Sequence, residues 1–346
     1  MRPILLALCL LLTAAAPTYA PVLPTTAITL PRDHGAHPDF RTEWWYVTGW
    51  LTTQSGQQRG FQVTFFRTRP PLNPSNPSAF SPKQIIFSHA AVSDPARGRQ
   101  LHDQRIARAG FGLAEASPTD TDLTLDNWTL KRLPNGNFVA RIPAKDFTLA
   151  LTLTPTQAAI LQGKAGFSQK VPAAADASHY YSMPHLRVTV THDAAPVTGK
   201  AWLDREWSSS YLNPRSIGWD WLGLNMNDGG ALTVFQIRDK QGKKFWAGGS
   251  YRSKSGEQTR LEPGDVTFTP TRRWRSSGTG AVYPIAPILT VRIPGQILTL
   301  PVTPLMDNQE LDSRRAGGPV YWEGAVTVPG GRGYLELTGY HSPLKM

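Results

Sequence analysis

The chain has 346 residues, of which 40% are hydrophobic and 18% charged, and 36 Lys and Arg against 25 Asp and Glu give a formal charge of +11. Its length accommodates two domains of ordinary size, and a single cysteine, Cys9, excludes an intramolecular disulfide and a thiolate metal cluster. The basic residues are scattered in short groups such as TRRWR (Thr271–Arg275), which excludes the dense stripe of a nucleic-acid surface and leaves weak attraction to an anionic membrane surface.

The first twenty residues have the layout of a secretory leader: Arg2, an apolar run from Ile4 to Leu12, then small residues ending at Ala20, the expected cleavage point. The run is too short to anchor stably in a bilayer, so the mature protein is expected to be periplasmic or secreted, without its cysteine. Next, RDHGAHPDF places His34 and His37 three residues apart. With no helical context and no third ligand, this pair is not read as a metal site.

From Glu43 onward the chain reads as strands. EWWYVTGW (Glu43–Trp50) and GFQVTFFRTR (Gly60–Arg69) come first, followed by an insertion rich in Pro and Ser, Pro70–Lys83. KQIIFSHAAV (Lys83–Val92) holds His89 among apolar neighbours, where it is either a hydrogen-bonded core histidine or a proton-transfer group. DLTLDNWTL, NFVARI, FTLALTLT, HLRVTVTH, GKAWLDREW, ALTVFQIR and GYLELTGY are likewise short, β-branched or aromatic, and bounded by turns. Asn135–Gly136 and Asp228–Gly229 carry hairpin chemistry. One segment, Thr154–Gly163, reads as a short helix with Pro155 at its start and Gly163 at its end. The class is all-β.

The pattern occurs twice. FQVTFFR (Phe61–Arg67) matches LTVFQIR (Leu232–Arg238), and each follows an aromatic strand, EWWYVTGW or GWDWLGL (Gly218–Leu224). GKAWLDREW (Gly199–Trp207) matches GRGYLELTG (Gly331–Gly339), and MPHLRVTV matches YWEGAVTV (Tyr321–Val328). This spacing suits a duplicated domain and predicts two β-barrels after the leader at 1–20, one over 30–205 and one over 206–346.

Three places set carboxylates beside large rings. Strand alternation puts Trp44, Tyr46 and Trp50 on one face, with Glu43 and Trp45 on the other. It sets Asp204 and Glu206 opposite Arg205 and Trp207, and Asp220 opposite Trp219 and Trp221. An acid buried among rings gains a raised pKa and can protonate an apolar substrate, and aromatic faces stabilise the resulting cation. The candidate acids are therefore Glu43, Asp204, Glu206 and Asp220, with His89 as a further proton carrier. The competing reading makes the rings barrel core and pairs the acids with arginines. No serine-hydrolase elbow and no phosphate loop is present.

Together PRDHGAHPDFRTEWWYVTGWL, FSHAAVSD, TGKAWLDREWSSS, GWDWLGLNMNDGGALTVFQIR, YWEGAVTV and GYLELTGY resemble the AttH-type proteins, relatives of the bacterial carotenoid 1,2-hydratases, from about Pro31 to Tyr340. The resemblance implies two lipocalin-like antiparallel β-barrels in tandem and a cavity for a hydrophobic, lipid- or isoprenoid-like ligand. It also implies cofactor-free addition of water to a double bond, or hydrolysis. Trp44, Tyr46, Trp50, Arg205, Trp207, Trp219 and Trp221 are the ligand-binding candidates. At the histidine of the hydratase pattern this chain carries Arg205, and Phe235 and Ile237 fall near its tyrosine and aspartate positions. The AttH branch further implies an alternative, a non-enzymatic carrier or accessory of an envelope ABC transporter of the lipoprotein-release type.

Overall fold

The computed structural model describes residues 19–72, 76–172, 176–190, 197–210 and 212–344; the expected leader up to residue 18, Cys9 included, lies outside them. Within them the period-two segments become strands, with three single-turn 3-10 helices and no α-helix. Both predicted hairpins form, and Gly136 (φ 86°) and Gly229 (φ 95°) occupy the left-handed backbone region that favours glycine. Thr154–Gly163 is not helical. Thr154 ends a strand, and Ile160–Leu161 pairs with Tyr181–Ser182. Tertiary contacts override the local preference there: Arg252 Nη1 donates to the Ala158 carbonyl at 2.7 Å, and Gln157 Nε2 donates to that of Gly229 at 3.1 Å.

The first sheet begins with β1 (Thr42–Thr52), β2 (Gln58–Thr68), β3 (Ile85–Asp94) and β4 (Arg99–Arg108). Beyond β1 it continues through Val197–Ser208, Ala177–Val190 and Thr148–Thr154 to Ala114–Ala116, in the order β4-β3-β2-β1 and onward. The sheet curls until β4 approaches Asp122–Leu125, giving a nearly closed barrel around Trp45, Phe61, Phe65, Trp128 and Phe138. In the second barrel an eight-stranded sheet and a three-stranded sheet enclose Leu222, Tyr283, Leu289 and Trp322. The pairing order repeats. β2, β1, Val197–Ser208 and Ala177–Val190 are neighbours in the first sheet, as Ala231–Asp239, Ser216–Met226, Gly331–Leu337 and Val320–Val328 are in the second. The protein is thus two lipocalin-like antiparallel barrels.

β1 is buried on both faces, which decides where its aromatic residues go. Tyr46 and Trp50 meet Trp202, Trp221, Ala325 and Tyr334 in an apolar layer between the barrels. Trp50 Nε1 donates to the Gly333 carbonyl at 2.9 Å, and Arg332 Nη1 to Gln58 Oε1 at 2.9 Å. The approach is close: a Cβ on Gly60 would stand 2.6 Å from both Ala325 Cβ and Tyr334 Oη.

The opposite face of β1 turns into the first barrel. There Glu43, fully buried, accepts from the guanidinium groups of Arg67 and Arg205 and from the His37 backbone N–H at 2.9 Å. Arg67 donates to the carbonyls of His37 and Phe40, both at 2.9 Å, and Arg205 lies 3.7 Å from the centre of the Trp45 ring. The His37 ring stacks on Trp207 with centroids 3.9 Å apart, and His34 Nδ1 meets Tyr181 Oη at 2.6 Å. These contacts fasten the segment before β1 across one end of the barrel. Burial alone would raise the pKa of Glu43, but Arg205 and Arg67 outweigh it and hold the carboxyl well below its usual range. Glu43 is therefore an ionised structural group and not a proton donor, and Arg205 and Trp207 serve this lock instead of a ligand.

Gly60→Leu should overpack the layer between the barrels and cost about 1–3 kcal/mol in urea unfolding. Glu43→Gln leaves two buried guanidiniums without their carboxylate and should cost about 3–5 kcal/mol by the same measurement. Because the folded-state pKa of Glu43 is depressed, its stabilisation is complete at neutral pH and declines as the pH falls through that value.

Candidate functional site

A cavity of about 110 Å³ lies between the barrels, and cross-strand register builds its walls. On β1, Trp44 stands opposite Glu206 and Tyr46 opposite Asp204. In the second barrel Trp221 stands opposite Glu336, which in turn stands opposite Glu323. Directly paired residues share a sheet face, so each barrel presents a patch of rings and acids. Tyr180, Trp219, Phe66 and Phe235 complete much of the apolar lining.

The four acids differ in their surroundings. Asp204 accepts hydrogen bonds from Tyr180 Oη at 2.6 Å, Ser182 Oγ at 2.5 Å and Trp202 Nε1 at 2.6 Å. Burial pushes its pKa up to about 7, against the pull of these donors and with a further push from Glu206. Trp221 Nε1 donates across the barrel junction to Tyr180 Oη at 3.1 Å. Glu206 pairs with Lys170 at 3.1 Å, whose ammonium lies 5.4 Å from the centre of the Trp44 ring.

Glu336 accepts from Trp219 Nε1 at 2.8 Å; burial, with further pushes from Asp204, Glu206 and Asp220 and against the pull of the Trp219 hydrogen bond, raises its pKa to about 7. Glu323 is 1% exposed, and among the described residues neither of its oxygens has a hydrogen-bond partner. Burial first, and then the negative charge of Glu336, push its pKa well above the usual range, although the nearby Tyr46 and Tyr321 hydroxyls act in the opposite direction. Those hydroxyls are close without making hydrogen bonds of good geometry to Glu323, and Tyr46 Oη is itself without a partner among the described residues. Four carboxyl groups thus face one ammonium in an apolar chamber. Burial favours the neutral form of Asp204, Glu323 and Glu336.

Of the candidates named from the sequence, the cavity brings together Asp204, Glu206, Trp44, Tyr46, Trp219 and Trp221. Trp50 lies in the layer between the barrels beside the cavity. Asp220 is elsewhere, bonded to Arg238 Nε at 3.0 Å, Gln236 Nε2 at 2.6 Å and Tyr340 Oη at 3.0 Å. His89 is one layer back. Its Nε2 lies 3.0 Å from Tyr321 Oη, and Tyr321 separates it from the cavity. Burial lowers its pKa to about 3, so the imidazole is neutral.

Sequence reasoning missed Glu323, Glu336, Tyr180, Tyr321 and Lys170. The internal repeat held a signal for one of them: matching Gly199–Trp207 to Gly331–Gly339 sets Glu336 on the position of Asp204. His34 and His37 turn to separate partners, and among the described residues no cluster of His, Cys, Asp and Glu could hold a metal ion.

Comparison with known proteins fits this architecture. A crystal structure assigned to AttH from Nitrosomonas europaea is 51% identical, covers 93% of this chain and 99% of its own, and superposes with a TM-score of 0.84. Kievitone hydratase from Nectria haematococca shares the fold at a TM-score of 0.62 and 15% identity, over 94% of this chain and 96% of its own. No curated protein matches the sequence. The AttH-like family profile matches residues 21–340, nearly the whole described chain, and the protein belongs to the AttH-like family.

Proposed function

We propose that the cavity between the barrels binds one end of an apolar, unsaturated molecule and adds water across its double bond, with a buried carboxylic acid as proton donor. The observation that carries this reading is Glu323, a buried carboxyl group facing the cavity, for which the described residues supply no cation and no well-formed hydrogen bond, and whose charged form is opposed by Glu336. A carrier site needs no such group, and burying one is costly. The fold shared with a hydratase supports the same class of chemistry. Export to the periplasm, proposed from the leader-like first twenty residues, would set the reaction in the cell envelope.

In the proposed reaction the carboxylic acid of Glu323 transfers its proton to one alkene carbon, leaving a carboxylate and a carbocation on the neighbouring carbon. Trp44, Trp219 and Trp221 present aromatic rings to that cation. Water then forms the C–O bond, and its surplus proton passes to a cavity carboxylate, from which the acid is restored. The net change is addition of one water, with no cofactor consumed. Asp204, fixed by three donors, and Glu206, paired with Lys170, are the groups placed to orient that water.

The size of the chamber narrows the substrate. About 110 Å³ is less than the roughly 150 Å³ of an engineered cavity that takes up benzene. It accommodates a terminal branched alkene and not a whole lipid.

Native mass spectrometry of protein isolated from its own cells, followed by solvent extraction, should recover an apolar unsaturated molecule or its hydrated product. Glu323→Gln should retain the unsaturated form and lower conversion by about a hundredfold to ten-thousandfold. Conversion should also fall at alkaline pH, because burial and the Glu336 charge raise the Glu323 pKa and the proton donor is lost as the pH rises through that raised value. Recovery of a polar ligand, or equal conversion by Glu323→Gln, would overturn the proposal.

A further inference from the structure

The substrate end that the cavity accommodates must continue somewhere, and cross-strand register shows an apolar route. Glu206, Trp44, Phe66, Phe87 and Ile106 stand opposite one another in sequence across Val197–Ser208 and β1 to β4. They form one row on one face of the sheet. Trp44 and Phe66 line the cavity; Phe66 stacks on Phe87 with centroids 4.3 Å apart and planes within 6°. Ile106, on the edge strand, is 52% exposed. Arg108, two residues along the same face, reaches over an aromatic pair. Its guanidinium carbon is 4.1 Å from the centre of the Phe111 ring and 5.5 Å from that of Phe80, and the two rings stack at 5.8 Å.

That pair is displayed to solvent. Phe80 is 76% and Phe111 60% exposed, and Leu113 beside them is 49% exposed. Phe111 has a φ of 60° between Gly110 and Gly112, both also in the left-handed region. A bulky side chain is disfavoured there, so backbone strain is spent on holding a phenyl ring in water. Arg108 Nη1 donates to the carbonyls of Ala79 and Phe80, leaving its positive charge among rings and carbonyls. Lys83 lies in the same hairpin, and the whole chain is basic, with a formal charge of +11.

We infer that Phe80, Phe111, Leu113 and Ile106, with Arg108, form a docking surface for an anionic lipid bilayer, and that the row through Phe87 and Phe66 leads a lipid-soluble molecule from the bilayer into the cavity. Aromatic and aliphatic side chains that enter the interface beside a cation are the chemistry of reversible membrane attachment. The delivery role rests on the ligand-binding reading of the cavity; the docking itself does not.

Co-sedimentation of the purified protein with vesicles of phosphatidylethanolamine and phosphatidylglycerol tests the docking, with pure phosphatidylcholine vesicles as the uncharged comparison. The protein should partition onto the anionic vesicles, and Phe80→Ser/Phe111→Ser should weaken that by about tenfold or more. Arg108→Gln should weaken it less and flatten its dependence on salt. Binding of 2-methyl-2-butene from solution, followed by NMR, reports on the cavity separately and should be the same in the Phe80→Ser/Phe111→Ser protein as in the parent. The docking inference is overturned by absence of binding, or by variants that bind as the parent does. It is equally overturned if the double variant instead abolishes self-association seen by sedimentation velocity, since the occupant would then be a second copy of the chain. Failure to bind 2-methyl-2-butene with intact vesicle binding would remove the cavity reading alone.

Discussion

Burying a carboxyl group without a counter-charge is among the costliest things a fold can do, and the space between these barrels does it repeatedly. Asp204, Glu206, Glu323 and Glu336 share one chamber with Lys170. The fold can hold them only by keeping some of them protonated. The contrast with Glu43, a few residues from the same cavity along β1, makes the point. Glu43 is just as buried but has Arg67 and Arg205 against it, so it stays ionised and secures the barrel. One kind of side chain takes two opposite roles according to whether guanidinium groups meet it.

Duplication explains how the chamber arises. Each barrel offers a central pair of strands whose outward face carries rings and acids in register, Tyr46 beside Asp204 in one and Trp221 beside Glu336 in the other. Packing the two faces together closes them off from water, and Gly60 permits the close approach. The acids then oppose the packing that buries them. A raised folded-state pKa contributes stability fully at low pH and loses it as the pH rises through that value, here about 7 for Asp204 and Glu336. The Glu43 lock has the reverse dependence, so the first barrel is firmest in the range where the junction is weakest.

The strands were legible because alternation at period two survives in nearly every segment, and the duplication because matched segments fall on equivalent pairings. Alternation also separated Trp44 and Tyr46 correctly from Glu43. What it could not supply is the destination of each face, since β1 is buried on both sides and no exposed side marks the outside. Alternation alone therefore leaves Arg205 and Trp207 as ligand candidates and Asp220 as a candidate acid, whereas Arg205 meets Glu43, Trp207 stacks on His37, and Arg238 and Tyr340 hold Asp220 elsewhere. Glu323 was hidden for another reason. Its importance lies in having no well-formed hydrogen bond among the described residues, and that is a property of three-dimensional packing alone.

The central claim is that at least one carboxyl group stays protonated in the cavity at neutral pH. Infrared difference spectroscopy across a pH titration, on protein with isotopically labelled glutamate, observes this directly through the carbonyl stretch of the neutral acid. The account predicts a protonated glutamate signal persisting at pH 7 and above in the parent and clearly reduced in Glu323→Gln, with any remainder titrating near 7 as Glu336 does. Complete ionisation of every glutamate below about pH 5, as for solvent-exposed side chains, would contradict it.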